Sequence, residues 1–288
     1  MITDFTKSFN SSWQTRGGPS DAMLWRLARF YNSSLGKFLW KMTIDHEVSS
    51  MTKDDKVELP MNIEELLHDP PVIHGEGTSS THHLETDILR YLSEILQEGM
   101  KTLETGIGLS TAVFAIKGCR HICIAPKEQE VRDFTTYCQQ HRISVKDLNF
   151  QIHPSERVLP LLHAENLDVV LIDGNHAFPI PFLDYFYTST MLRTGGFLVI
   201  DDVHLWTGKI LKDFLLTESE WQFVKGFYDR AVVFRKISEV DPRKWHGQQP
   251  YVVQKSRWLI RKSQLTQALH LIKNGEFSYL AGKIKKRF

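Results

Sequence analysis

Three carboxylates and a histidine stand at the ends of two short apolar runs, Leu171-Ile172-Asp173-Gly174-Asn175-His176 and Leu198-Val199-Ile200-Asp201-Asp202-Val203-His204. Runs of this length and branching read as buried strands, which puts the acids at strand tips. Carboxylates held that close repel and raise one another's pKa unless a cation joins them. A hard divalent ion such as Mg²⁺, bound through oxygen, meets that need and keeps water sites that a substrate can displace. Asp173, Asp201 and Asp202 are the candidate ligands. Acids at such tips also cap helices or bind a ligand without metal, and that reading stands beside the first. A histidine titrates near pH ~6.5 and suits proton transfer at neutral pH. His176 is the candidate base and His204 the group behind it; a hydrogen bond that merely fixes the loop is the competing role for His176.

A second segment, Glu104-Thr105-Gly106-Ile107-Gly108-Leu109-Ser110, joins a short strand to a helix. Glycines there let the backbone approach a ligand, and the helix start offers unpaired N–H groups. A dinucleotide fingerprint wants a small residue at 111 and an acid after the second strand. Thr111 and Ala125-Pro126 occupy those places. A phosphate-binding P-loop wants Gly-Lys-Ser/Thr, which the chain lacks. An acid two residues before the first glycine suits a ligand with an ammonium group.

The elements that must position these residues follow from the pattern. Strands are expected at 102–104, 121–125, 149–152, 168–172 and 197–200, with helices at 110–116, 128–141, 155–162, 181–192 and 210–216 between and after them, and a turn at Gly195-Gly196. Two close strands near 221–224 and 231–234 read as a hairpin. Five rounds of alternation mean an α/β fold: a Rossmann-like, doubly wound sheet, mostly parallel, with an antiparallel strand added at one edge. Ligands on such a sheet lie beyond the carboxyl ends of the strands, where strand order reverses. Before this domain, a greasy helix is expected over 20–42, one helical turn near 63–67 and a helix over 84–96. After it, 237–262 read as irregular and 263–288 as helical. The division is therefore an N-terminal extension (1–80), a central domain (81–237) and a C-terminal helical extension (238–288).

The order Glu-x-Gly-x-Gly-x-Ser, then Ile172-Asp173-Gly174-Asn175-His176-Ala177-Phe178-Pro179, Gly195-Gly196 and Asp201-Asp202-Val203-His204-Leu205-Trp206 resembles class I S-adenosylmethionine-dependent methyltransferases. Within that class it is similar to the group whose fourth strand ends in Ile-Asp-Gly-x-His and whose fifth ends in a paired acid. The resemblance covers roughly residues 80–237. It implies S-adenosyl-L-methionine as cofactor, with Glu104, Thr105, Gly106, Gly108 and Ser110 around its methionine part. Ser155 and Glu156 would lie near the adenine, and Asp173 beside the reacting centre. The family often places an acid after the second strand to hold both ribose hydroxyls; this chain departs from that with Pro126-Lys127-Glu128, and Glu128 or backbone groups would take that role. It also resembles metal-dependent O-methyltransferases, which implies transfer to a hydroxyl of a small molecule or sugar, with His176 accepting the proton and Asp173, Asp201 and Asp202 holding Mg²⁺.

Composition bounds the alternatives. With 35 Lys and Arg against 34 Asp and Glu, the net charge is +1 and excludes a strongly polybasic nucleic-acid binder. Cys119, Cys123 and Cys138 form neither a disulfide framework nor a zinc pattern and read as thiols of a reducing, cytoplasmic compartment, Cys119 and Cys123 half-buried and Cys138 on the inward side of its helix. No apolar run reaches the ~20 residues of a membrane span. Phe178 and Trp206 read as core aromatics before pocket walls. The basic end, Lys283-Ile-Lys-Lys-Arg287, is a solvated terminus or a contact for acidic lipid or a partner; self-association stays open. A nicotinamide-dependent oxidoreductase and a non-catalytic binding protein of the same fold are the competing functions.

Overall fold

The computed structural model describes residues 61–71, 73 and 86–276. The expected helix at 20–42 and the basic end at 283–287 lie outside them. Two short helices come first: α1 (Ile63–His68), started by a capping box between Asn62 and Glu65, and α2 (Thr86–Ile95). The sheet then alternates with helices: β1 (Lys101–Thr105), α3 (Leu109–Ile116), β2 (Arg120–Ile124), α4 (Glu128–Gln140), β3 (Leu148–Gln151), α5 (Ser155–Val158), β4 (Leu167–Ile172), α6 (Ile180–Met191), β5 (Leu192–Ile200), α7 (Trp206–Leu215), β6 (Trp221–Phe227) and β7 (Ala231–Lys236).

The seven strands lie in the order β3-β2-β1-β4-β5-β7-β6, and β7 runs antiparallel to both of its neighbours. The chain winds outward from β1 to β3, then returns to the other side of β1 with β4, so the switch in strand order falls between β1 and β4. Both faces are covered. Val169 and Leu171 of β4 pack with α2, α3 and α4 on one face, while Val170 and Ile172 pack with α6 and α7 on the other. This two-sided burial explains the unbroken apolar text of β4.

The observed elements sharpen several expectations. The 195–196 segment does not end the strand: β5 continues back to Leu192 across a bulge, where pairing shifts and Gly195 takes φ +86°. The helix expected at 210–216 starts at Trp206. The last helix, α8 (Pro250–Lys273), begins thirteen residues before the expected start at 263. Pro250 sits in its first turn, where a missing N–H costs nothing, so this proline starts the helix rather than breaking it. Cys119 and Cys123 are fully buried rather than half-buried, Cys138 is buried on the inward side of its helix as expected, and burial pushes Cys119 up to about 11 and Cys138 up to about 12.

One buried acid has no chemical partner in the sheet. Asp184 of α6 is fully buried beside Thr105 and Ser155, neither of its oxygens makes a hydrogen bond, and burial lifts it to about 6. A folded-state pKa above the unfolded one favours folding at low pH; that benefit is lost as pH rises through about 6. Asp184→Asn is therefore expected to be more stable than the parent at about pH 8, by up to about 3 kcal/mol, with the difference vanishing near pH 4. Thermal melts across that range check the sign; a variant that is less stable at every pH contradicts it.

Candidate active site

The register of the sheet assembles the site. Ile124, Thr105, Ile172 and Ile200 pair across β2, β1, β4 and β5 as one row. The hydrogen-bond ladder runs one residue further: Gly106 N–H donates to the Ile124 carbonyl (2.9 Å), Asp173 N–H to Thr105 (3.1 Å) and Asp201 N–H to Ile172 (3.0 Å). Gly106, Asp173 and Asp201 are thus neighbours by strand spacing alone, ~4.8 Å per strand. They open onto a cavity of about 620 Å³, within the range that holds cofactors and small ligands.

The glycine loop forms one wall. Gly106 has φ +102°, and a Cβ there would fall 2.3 Å from the Asp173 carbonyl oxygen. Gly108 faces open space and stands at the N-cap of α3. Thr105, Gly106, Gly108 and Ser110 all line the cavity, as do Pro126, Ser155, Glu156 and Asp173. Glu104 does not. It is 1 % exposed beneath the loop. Its carboxylate accepts from Ser110 Oγ (2.7 Å), from Thr111 Oγ1 and from His121 Nε2 (3.1 Å). Those bonds fix the loop from below, so Glu104 acts on a ligand through the backbone it holds. The Thr111 that departs from the dinucleotide pattern is one of its partners. Glu104, His121 and Cys123 also lie within metal-ligating distance of one another, but His121 Nδ1 pairs with Thr102 Oγ1 (2.8 Å) and Cys123 Sγ donates to the Gly106 carbonyl (3.3 Å). Hydrogen bonds account for that group.

Two lining residues carry no sequence signal. Glu130, on the first turn of α4, reaches the cavity and takes Lys127 Nζ at 2.9 Å. Glu128, expected there, instead faces solvent and pairs with Arg132 (2.7 Å). Arg230 arrives from the β6–β7 turn, where Tyr228 and Asp229 both take positive φ and Arg230 N–H closes the turn on the Phe227 carbonyl (2.7 Å). Tyr228 and Asp229 are the central pair of this turn, within a three-residue connection between the paired Phe227 and Ala231.

The acids divide into two groups. Asp173 and Asp201 share a hydrogen bond, and burial together with the Asp201 charge pushes Asp173 well above the usual carboxylate range; burial raises Asp201 as well. Asp202, in the left-handed region at φ +51°, faces His176 Nε2 at 3.1 Å, Arg230 Nη2 at 3.2 Å and His204 Nδ1 at 3.5 Å. His176 lies 3.8 Å from Asp173. Thr207 Oγ1 holds the His176 carbonyl (2.6 Å), which ties the loop after β4 to the start of α7. Phe178 and Trp206 are not core residues: they are 69 % and 63 % exposed, with ring centres 6.2 Å apart. The core places on this face are already filled by Phe182, Tyr185 and Phe214.

Residues 103–203, from β1 to the loop after β5, match the family model described as a methyltransferase domain. No curated protein matches the chain. Solved structures that it resembles include an S-adenosylhomocysteine-bound methyltransferase from Podospora anserina, at 12% identity and a TM-score of 0.49 over 68% of this chain and 96% of that one. An O-methyltransferase from Bacillus cereus, also with S-adenosylhomocysteine, gives 14%, 0.48, 68% and 97%. A putative rRNA methylase from Clostridium thermocellum gives 14%, 0.45, 54% and 96%.

Proposed function

We propose that this chain moves the methyl group of S-adenosylmethionine to a hydroxyl oxygen of a small molecule. The observation that carries the reading is the in-register row Gly106, Asp173 and Asp201 on one cavity, with a bare backbone loop at one side and a histidine–carboxylate pair at the other. The loop and Asp173 would bind the methionine part, Glu130 the ribose hydroxyls, and Ser155 with Glu156 the adenine. In the reaction the sulfonium–methyl bond breaks, its electron pair stays on sulfur as a thioether, and the acceptor oxygen forms the new bond. His176 takes the hydroxyl proton, and the Asp202 carboxylate at Nε2 stabilises the imidazolium that results. Phe178 and Trp206 offer ring faces beside His176, suited to a sugar or aromatic acceptor.

The donor set also fits a hard divalent cation. Asp173 and Asp201, whose carboxyls meet, would hold the ion, while Asp202 is turned to His176 and Arg230 and does not join them as a third ligand among the described residues. Such an ion, when bound, lowers the pKa of the acceptor hydroxyl. Dialysis against EDTA is expected to reduce turnover and added Mg²⁺ to restore it; a full rate after dialysis removes the ion from the reading. For the ribose, Glu130→Ala is expected to weaken S-adenosylhomocysteine about tenfold, the loss of one or two charge-assisted hydrogen bonds, while Glu128→Ala leaves it unchanged. Calorimetry with both variants checks this, and equal affinities contradict the assignment.

A further inference from the structure

Among the described residues, the helix α8 is packed on the domain only at its first turn. No residue of α8 is buried. Tyr251 roots it by meeting Phe214 of α7 edge-on at 6.0 Å. Beyond that root, Trp258, Leu265 and Ile272 follow at seven-residue intervals, which on an α-helix keeps them nearly in line, and Leu269 fills the gap, while the exposed Leu259 and Ile260 lie on other sides of the helix. Trp258 is 64 %, Leu265 63 % and Leu269 59 % exposed. Lys255 and Lys262 flank the stripe on one side and Arg257 and Arg261 on the other. Two of these cations lie over the stripe's own rings, Lys255 5.3 Å from Tyr251 and Lys262 5.3 Å from Trp258. The helix contains no acid, and residues 250–288 hold nine Lys or Arg against Glu276 alone, in a chain whose total charge is +1.

We propose that α8 docks this protein on an anionic lipid surface, lying in the interface with its apolar stripe inserted and its flanking lysines and arginines on the headgroups. A second copy is disfavoured, because like charges would flank the joint with no acid in the helix to pair them. A nucleic acid would neutralise the cations but leave the aliphatic stripe in water. Only a surface that is apolar within and negative at its rim satisfies both features. Docking of this kind is peripheral: no helix among the described residues is long and apolar enough to cross a membrane.

The test uses the full chain and sedimentation with two kinds of vesicle: equal parts phosphatidylglycerol and phosphatidylcholine, and phosphatidylcholine alone. Binding is expected to the first and to weaken with salt. Lys255→Glu with Lys262→Glu should lower the partition about thirtyfold, and Leu265→Ser with Leu269→Ser about tenfold or more. Because all four side chains are exposed, both double variants should keep the parent melting temperature and its rate on a soluble acceptor. Equal binding to both vesicles, or undiminished binding by either double variant, overturns the proposal. So does a dimer in sedimentation velocity that the leucine variant dissociates, or an RNA complex that the lysine variant loses and the leucine variant keeps.

Discussion

Gly106→Ala is expected to abolish binding of S-adenosylmethionine and to lower stability at the same time. The new Cβ would sit 2.3 Å from the Asp173 carbonyl oxygen, a backbone atom of the neighbouring strand end, at a φ of +102°. Neither can yield without separating β1 from β4. Overpacking and a disfavoured backbone together cost about 3 kcal/mol or more. The control is Gly108→Ala. Its Cβ meets no protein atom, and its backbone at φ −174° is ordinary extended chain. That variant should melt like the parent yet bind cofactor about tenfold more weakly, because its methyl group enters the space the ligand needs. Calorimetry and thermal melts on the pair separate a structural glycine from a ligand-facing one. Normal affinity in Gly106→Ala would remove the loop from the binding site.

His176→Ala is expected to lower turnover about 10²-fold, the usual worth of a positioned base, with cofactor affinity unchanged. His204→Ala should cost only a few-fold, because His204 touches Asp202 and Arg230 but does not line the cavity. Asp202→Asn isolates the carboxylate charge, since asparagine tolerates the left-handed backbone as well as aspartate does. Its rate should fall along with that of His176→Ala. A few-fold change in His176→Ala would make that histidine a loop fastener. A loss of cofactor binding in the same variant would place it on the wrong side of the cavity.

The legible part of this molecule was the part set by local sequence. Parallel strands buried on both faces write themselves as apolar runs, and their tips carry Asp173, Asp201 and the glycine loop. Because register aligns those tips, knowing the strands nearly gives the site. Glu130 was hidden because its use depends on which side of the first turn of α4 faces the cavity, and Glu128, two residues earlier, reads equally well. Arg230 was hidden for a topological reason. Its contact with Asp202 requires β7 to enter the sheet between β5 and β6 and the turn before it to land at the mouth. Only the positive-φ pair Tyr228-Asp229 marks that turn, and tyrosine is an unusual residue for it. Phe178 and Trp206 misled in the opposite direction, since large aromatics are more often inside. Glu104 shows a subtler limit: its position before the glycines was readable, but its three donors, which turn it into a support for the loop, come from α3 and β2.

The account rests on the identity of the ligand in the crevice past β1. Titrating the protein with S-adenosylhomocysteine and, separately, with NADH puts that claim at risk in one experiment. Saturable heat at one equivalent with the thioether nucleoside and none with the dinucleotide is the expected result. Silence with the first, or saturation with the second, contradicts it.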